Sequence, residues 1–316
     1  MMTRLNRSLF LMMMTLAIVM TACTPKGASG NAADDKLAAI KARGTLVIAT
    51  DPNYPPFSLY DKNQSRSANT KCTTDQYTAN QFSGFDAGTA IEIAKRLGVE
   101  PCFVSPDWGQ ITAGDWNDAW DISVGSMTIT NARTKVLYFA QPYFATPIHA
   151  FVYKDNTTYQ TPEDLSGKRI GTCDGCTYDL YLKNTLELPG PPIEYRIKNA
   201  QSIPYENEVP AIADLSLGDG MKLDAVITQR SIGTEKINEG APLRMISQPL
   251  FFAYAAPAFD KKSSKDPVSL VKEVTKIVQA MQNDGTLLNL AKGNIEADLI
   301  PLAADFYIDG LSQFPK

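Results

Sequence analysis

The chain has 316 residues, with 30 Lys and Arg against 34 Asp and Glu, a formal net charge of −4. Mild acidity without a basic cluster excludes the electrostatic footprint of a nucleic-acid binder. A chain of this length makes one large or two medium domains.

In chain order, Arg4 and Arg7 precede the apolar run LFLMMMTLAIVM, Leu9 to Met20, and TAC follows, ending at Cys23. That run is shorter than the roughly 20 residues of a membrane helix, and no later apolar segment reaches that length. A charged start, a short apolar stretch and small residues before the break describe a secretory signal over residues 1–22. Cys23 resembles the lipobox cysteine of bacterial lipoproteins, although Met20 stands where Leu is usual. The resemblance implies an extracytoplasmic protein held on the cell membrane by a lipid on Cys23; an ordinary signal beside an unmodified cysteine is the alternative. Residues 23–36, rich in Gly, Ala, Ser and Asp, read as a flexible tether. Removal of the signal takes away two arginines, leaving 28 basic against 34 acidic residues and a net charge of −6.

KLAAIKARG reads as a short helix ending at Gly44, and TLVIAT as a buried strand. DPNYPPF forces a loop, because Pro52, Pro55 and Pro56 continue neither element. Residues 61–83 are polar and patternless, a surface insertion. Asp86 is expected to cap a helix whose apolar face is Ala90, Ile93, Ala94 and Leu97. PCFV and WDISVGSMT follow as strands. From Lys168 the cycle repeats: KRIGT strand, YDLYLKNTL helix, IEYRI strand, EVPAIADLSLG helix, LDAVITQ strand. PLFFAYAAPAFDK is strand-like, and a helix capped by Asp266 carries Val271, Val274, Ile277, Val278 and Met281 on one face. Alternating strands and helices predict an α/β fold of two similar lobes, each a mostly parallel sheet flanked by helices.

Five cysteines less Cys23 leave Cys72, Cys102, Cys173 and Cys176. An even remainder in an exported chain suggests disulfides. Cys173 and Cys176 are close enough to pair, which points to Cys72 with Cys102 as the second bridge. A redox or metal site at CDGC is the rival, although a zinc site needs further ligands and His149, the one histidine, is remote in sequence.

From Gly44 to about Gly293 the motifs ATDPNYPPF, GFD…EIAKRLG, WDISVGSMTITNAR, FAQPYF, DLSGKRIGT…GCTYD, LDAVIT and NDGTLLNLAKG stand in the order of one family. The chain resembles the family 3 bacterial solute-binding proteins, the polar amino-acid receptors of ABC importers. The resemblance implies a two-lobed periplasmic-binding-protein-like fold joined by two crossover strands, with lobe 1 over 37–147 plus 252–316 and lobe 2 over 148–251. It implies a monomer without cofactor or metal that closes on a small carboxylate-bearing ligand, an amino acid or derivative, and docks on an ABC permease.

A ligand carboxylate calls for a planar bidentate partner, which Arg supplies and Lys does not. The family's motif places Arg133 there, with Ser126 and Thr128 beside it and Thr177, Tyr178 and adjacent amides across the cleft. Tyr54, Phe57 and Trp108 match positions that wall the ligand in relatives, while Trp116 and Trp120 read as core. Gln229 falls where relatives that hold an α-ammonium commonly place an acid, so the cationic end is left to Asp51 or Asp174, or the ligand lacks a free amine. The family's signature also departs at Gly88, where an acidic residue is usual. The alternative functions are a cleft enzyme of the cyclohexadienyl dehydratase type, which would need an acid such as Glu206, Glu208 or Glu235, and a ligand-presenting sensor. His149 alone does not make a nucleophilic triad.

Overall fold

The helix Lys36–Arg43 starts where the Asp35 carboxylate accepts from Ala38 N at 2.7 Å and stops at Gly44, φ 78°, whose amide donates to Ile40 O. This N-cap and left-handed C-cap satisfy backbone groups that a helix end otherwise leaves bare. A computed structural model describes residues 34–306, 308–311 and 313, so the signal segment and Cys23 lie outside the described residues.

Two six-stranded sheets build the molecule, with a small three-stranded one of Asn53–Tyr54, Ser58–Tyr60 and Phe82–Ser83 beside them. In the first, Thr45–Ala49 is central and runs parallel to Glu100–Val104, with Thr45 opposite Glu100, and to Ile122–Ser123, with Ile48 opposite Ile122. In the second, Arg169–Cys173 runs parallel to Gln201–Tyr205 and Ala225–Gln229. Each parallel centre is flanked by antiparallel strands, Tyr77–Thr78, Leu137–Phe139 and Ala258–Asp260 in one, Phe144–Tyr153, Leu243–Met245 and Phe251–Ala255 in the other. The sheets are therefore more mixed than the strand and helix alternation predicts. Phe144–Tyr153 pairs at one end with Phe251–Ala255 and at the other with Ala225–Gln229 and Leu243–Met245. These two long segments carry the chain between the lobes.

Alternation along Thr45–Ala49 sorts its side chains onto two faces. Leu46 and Ile48 enter the larger core beneath the helix Phe85–Leu97 and the stripe Val271, Val274, Ile277, Val278 and Met281 of the helix Val268–Asn283. Val47 and Ala49 face a second core with Met127, Ile129, Trp116 and Trp120. The two tryptophans are buried, with ring centroids 5.1 Å apart, and are structural as expected. A third core, with Ile170, Ile227 and Tyr181, covers the other lobe.

Several local expectations change. IEYRI forms no strand; Gln201–Tyr205 takes the edge position instead, where Pro204 forfeits no interior ladder bond. Ile193, Tyr195 and Ile197 alternate because they pack on the core without a ladder partner. The 61–83 insertion contributes the short strands Tyr77–Thr78 and Phe82–Ser83, and a Cys72–Cys102 disulfide pins it to the first sheet. The cap of the helix Phe85–Leu97 is Gly84, not Asp86. Its first amides, Phe85, Asp86 and Ala87, donate to Pro56 O and Phe57 O in the NYPPF loop, which frees the Asp86 carboxylate for another task. At Gly88 a Cβ would meet Leu290 Cδ2 at 3.1 Å, so the missing side chain lets the helix Thr286–Ala291 pack close.

Gly84 has φ 106° and ψ 177°, a region essentially restricted to glycine, and a Cβ there would sit 2.4 Å from Phe57 O. Gly84→Ala is expected to cost at least about 1–3 kcal/mol by strain alone and to lower the thermal midpoint measurably in a calorimetric scan.

Candidate functional site

Loops at the carboxyl ends of both parallel centres, Ala49 and Ser123 in one sheet and Cys173, Tyr205 and Gln229 in the other, converge on a cleft of about 390 Å³. Open α/β sheets place their ligand crevices at this edge. Of the ten proposed ligand-binding residues, nine line the cleft: Asp51, Tyr54, Trp108, Ser126, Thr128, Arg133, Thr177, Tyr178 and Gln229. Phe57 does not. It is fully buried behind Tyr54, its ring 5.7 Å from Tyr54 and 5.3 Å from Phe144, and its carbonyl accepts from the Asp86 amide at the start of the helix behind it.

Arg133 opens the short helix Arg133–Val136, and its amide donates to Thr130 Oγ1 at 3.1 Å. The side chain is only 6% exposed, and burial draws its pKa down to about 10. Among the described residues it has one hydrogen bond, Nη1 to Thr128 O at 2.9 Å, and no carboxylate partner; the guanidinium lies 5.1 Å from the centre of the Trp108 ring. A buried charge is normally paired, because desolvation without a counterion is costly. This fork has donors left over, points into a cleft, and is chemically suited to an incoming anion.

The loop that carries it is held by Asp86. Tyr143 Oη donates to Asp86 Oδ1 at 2.7 Å and Ser126 Oγ to Oδ2 at 2.8 Å, while Ser126 N donates to Tyr143 Oη at 2.9 Å. Burial pushes the Asp86 carboxyl up to about 7 against these hydrogen bonds. The Ser126 hydroxyl proton and amide are thus both spent inside the protein, and its carbonyl is left to offer. Ser126 sits at φ 51°, a strained value for a residue with a Cβ, which the same bonds enforce.

Across the cleft, Thr177 and Tyr178 begin the helix Thr177–Leu182, buried, directly after the Cys173–Cys176 disulfide. Both predicted disulfides form, and the CDGC sulfurs, bonded to one another, are not available as thiolates to a metal. Gln229 Nε2 donates to Tyr54 Oη at 3.2 Å, joining the two walls, and Asn131 N donates to Glu187 O at 2.9 Å farther along. Gln229 Oε1 is buried without a protein partner. So are Thr50 Oγ1, Ser105 Oγ, Ser123 Oγ and Trp108 Nε1, all on cleft-lining residues. Buried polar atoms are almost always satisfied, so these atoms leave the cleft with hydrogen-bonding capacity that the described residues do not meet.

The acidic groups divide. Asp51 lines the cleft, spends Oδ1 on Asn53 N at 2.7 Å, and is raised by burial. Asp174 and Glu206 also line it but are exposed. Glu208 is the residue that motif matching leaves out. It starts the helix Glu208–Leu215 behind the Asn207 cap, is 1% exposed, and burial pushes it up to about 8, with the Asp51 charge adding to the rise. One of its oxygens has no protein partner. The available signal was ENEVP: an Asn cap after a strand places the next residue at a sheet's carboxyl end. Glu235 and His149 do not line the cleft, and His149 Nδ1 is 2.9 Å from Ile246 O.

Residues 46–296 match the family model described as bacterial extracellular solute-binding proteins, family 3. Among curated proteins, the Escherichia coli K12 L-cystine-binding protein TcyJ is 26% identical over 82% of this chain and 86% of its own length. The lysine/arginine/ornithine-binding periplasmic protein of the same organism is 25% identical over 78% and 86%. Among solved structures, the ancestral amino acid-binding protein AncCDT-1, a precursor of cyclohexadienyl dehydratase, superposes with TM-score 0.66 at 26% identity, covering 83% of this chain and all of that one. An ancestral arginine-binding protein bound to arginine gives TM-score 0.62 at 26% identity over 79% and 97%. With more than half its length matched by the family model, this chain belongs to the bacterial extracellular solute-binding proteins of family 3.

Proposed function

We propose that this receptor captures an amino acid or amino-acid derivative outside the cytoplasm and delivers it to an ABC permease without transforming it. The carrying observation is Arg133, a buried cation without a carboxylate partner among the described residues, facing the cleft. A ligand carboxylate would supply the missing charge, with Thr128 beside it and Thr177 and Tyr178 closing from the other lobe. The cationic end would lie toward Asp51 and the free Gln229 Oε1. Names of the relatives support this reading, since cystine and the basic amino acids share a carboxylate and a long polar body.

The lobes would divide near residues 147 and 251, where the two crossing segments run, and a ligand touching both walls favours their approach by its differential affinity. Among the described residues no helix is long and apolar enough to cross a membrane. A lipid on Cys23 would keep the monomer beside its permease. A second reading has one observation in its favour: Glu208 is a buried, raised acid in the cleft, as an elimination of the dehydratase type would require. Product formation from prephenate followed by mass spectrometry would favour it; intact substrate favours binding alone.

Arg133→Ala is expected to weaken arginine or cystine binding at least tenfold in calorimetry, because a charge-assisted hydrogen bond contributes about 1.5–3 kcal/mol. Arg133→Met is expected to leave the ligand-free protein no less stable than the parent, since it replaces an unpaired buried charge with an apolar side chain. An equal loss of stability and binding in that variant would make the arginine structural.

Glu208 titrates near 8 when folded against 4.5 for the free side chain. Below 4.5 it is protonated in both states and costs nothing extra. As pH rises toward 8 the unfolded chain loses this proton first, so its contribution to stability falls. Glu208→Gln is therefore expected to gain stability relative to the parent progressively between about pH 4.5 and 8, read as a growing difference in thermal midpoint.

A further inference from the structure

CDGC is not absorbed by solute binding, yet both of its cysteines line the cleft, 8% and 6% exposed. Cys173 ends the strand Arg169–Cys173 and Cys176 immediately precedes the helix Thr177–Leu182. Glu208 Oε1 lies 3.3 Å from Cys173 Sγ, and the ligating atoms of all three residues fall within 4.8 Å of one another. In a disulfide neither sulfur carries a proton, so this contact is not a hydrogen bond in the oxidised protein. It becomes one when the bridge opens and a sulfur needs a proton. Cys72–Cys102, by contrast, lies away from the cleft, with Cys102 fully buried.

We propose that Cys173–Cys176 is a redox-active disulfide of the ligand cleft, which takes a small thiol into a mixed disulfide at Cys176 while Glu208 protonates the departing Cys173 sulfur. The entering thiolate forms a bond to Cys176 Sγ and the Cys176–Cys173 bond breaks. The electron pair leaves on Cys173 Sγ, which takes the Glu208 proton, so the products are the Cys176 mixed disulfide, the Cys173 thiol and the Glu208 carboxylate. The charge is one negative before and one negative after, and no outside oxidant enters. Proton delivery matters because Cys173 is 8% exposed and packs on the apolar core of its lobe, where a thiolate would be a buried charge.

Glu208 keeps its proton up to about pH 8. The groups facing it are Asp51 from the first lobe's loop, whose charge raises it, and Tyr54 and Tyr178, both themselves pushed well up by burial and neutral in this range. The supply of protonated acid therefore falls as pH passes about 8, opposite to the rise in thiolate from the entering thiol.

The inference rests on the reading of the cleft as open to small solutes, but not on the role of Arg133. The oxidised protein is treated with 2-mercaptoethanol, quenched in acid, alkylated and mapped by peptide mass spectrometry. The adduct is expected on Cys176 with Cys173 free, formed at least tenfold faster than Cys72–Cys102 opens. Expressed per thiolate, the rate constant is expected to be flat below about pH 8 and to fall above it; Glu208→Gln lowers it tenfold or more and removes that fall. Equal opening of the two bridges, an adduct on Cys173, or an unchanged rate in Glu208→Gln overturns the proposal. Calorimetric titration of the untreated, oxidised protein with arginine and cystine is run alongside, so failed solute binding and failed exchange are read separately.

Discussion

Asp86 accepts hydrogen bonds from Tyr143 and Ser126 while its own amide donates to Phe57 O, so one residue on a helix start fixes both loops of the first cleft wall. Its carboxyl is fully buried, and satisfied acceptors are what make such burial tolerable. The strained backbone at Ser126 and the close approach at Gly84 are consequences of the same arrangement, each held by the surrounding bonds. From this brace the loop 124–133 turns Thr128 O toward Arg133, and the guanidinium inherits its direction.

The cleft gathers half of the buried polar side-chain atoms that lack a protein partner among the described residues. Elsewhere, charges pair: Lys36 with Asp118, Arg169 with Asp224, Arg196 with Glu163. In the cleft a cation without a carboxylate partner among the described residues and a raised acid line the same space, together with several orphaned hydroxyls. Stability is given up there for selective contact, the usual relation between a binding site and the scaffold beneath it.

Much of this was legible in the sequence because periodicity and capping are local. The stripe from Val271 to Met281, the buried run Thr45–Ala49 and the Cys173–Cys176 pair follow from spacing, and Cys72 with Cys102 is what then remains. Where long-range packing decides, the reading fails: IEYRI has strand alternation but faces a core without a strand partner, and Asp86 has a cap's position but a brace's contacts. Phe57 carries a wall residue's motif and a core residue's environment, since the turn that sets its direction depends on Gly84 and the helix behind it. Glu208 is named only as one of three candidate acids, because nothing in a linear motif says that the helix after Gln201–Tyr205 opens onto the same space as Asp51.

The lobes are joined by a ribbon, Phe144 facing Ala255 at one end and Ile148 facing Phe251 at the other. Two antiparallel strands twist and bend readily, but sliding them past one another breaks every rung at once. Such a joint transmits rotation and little else. Were the two lobes to turn about it as rigid bodies, the fit of any solute, whatever its shape or charge, would be expressed as a single variable, the angle between them.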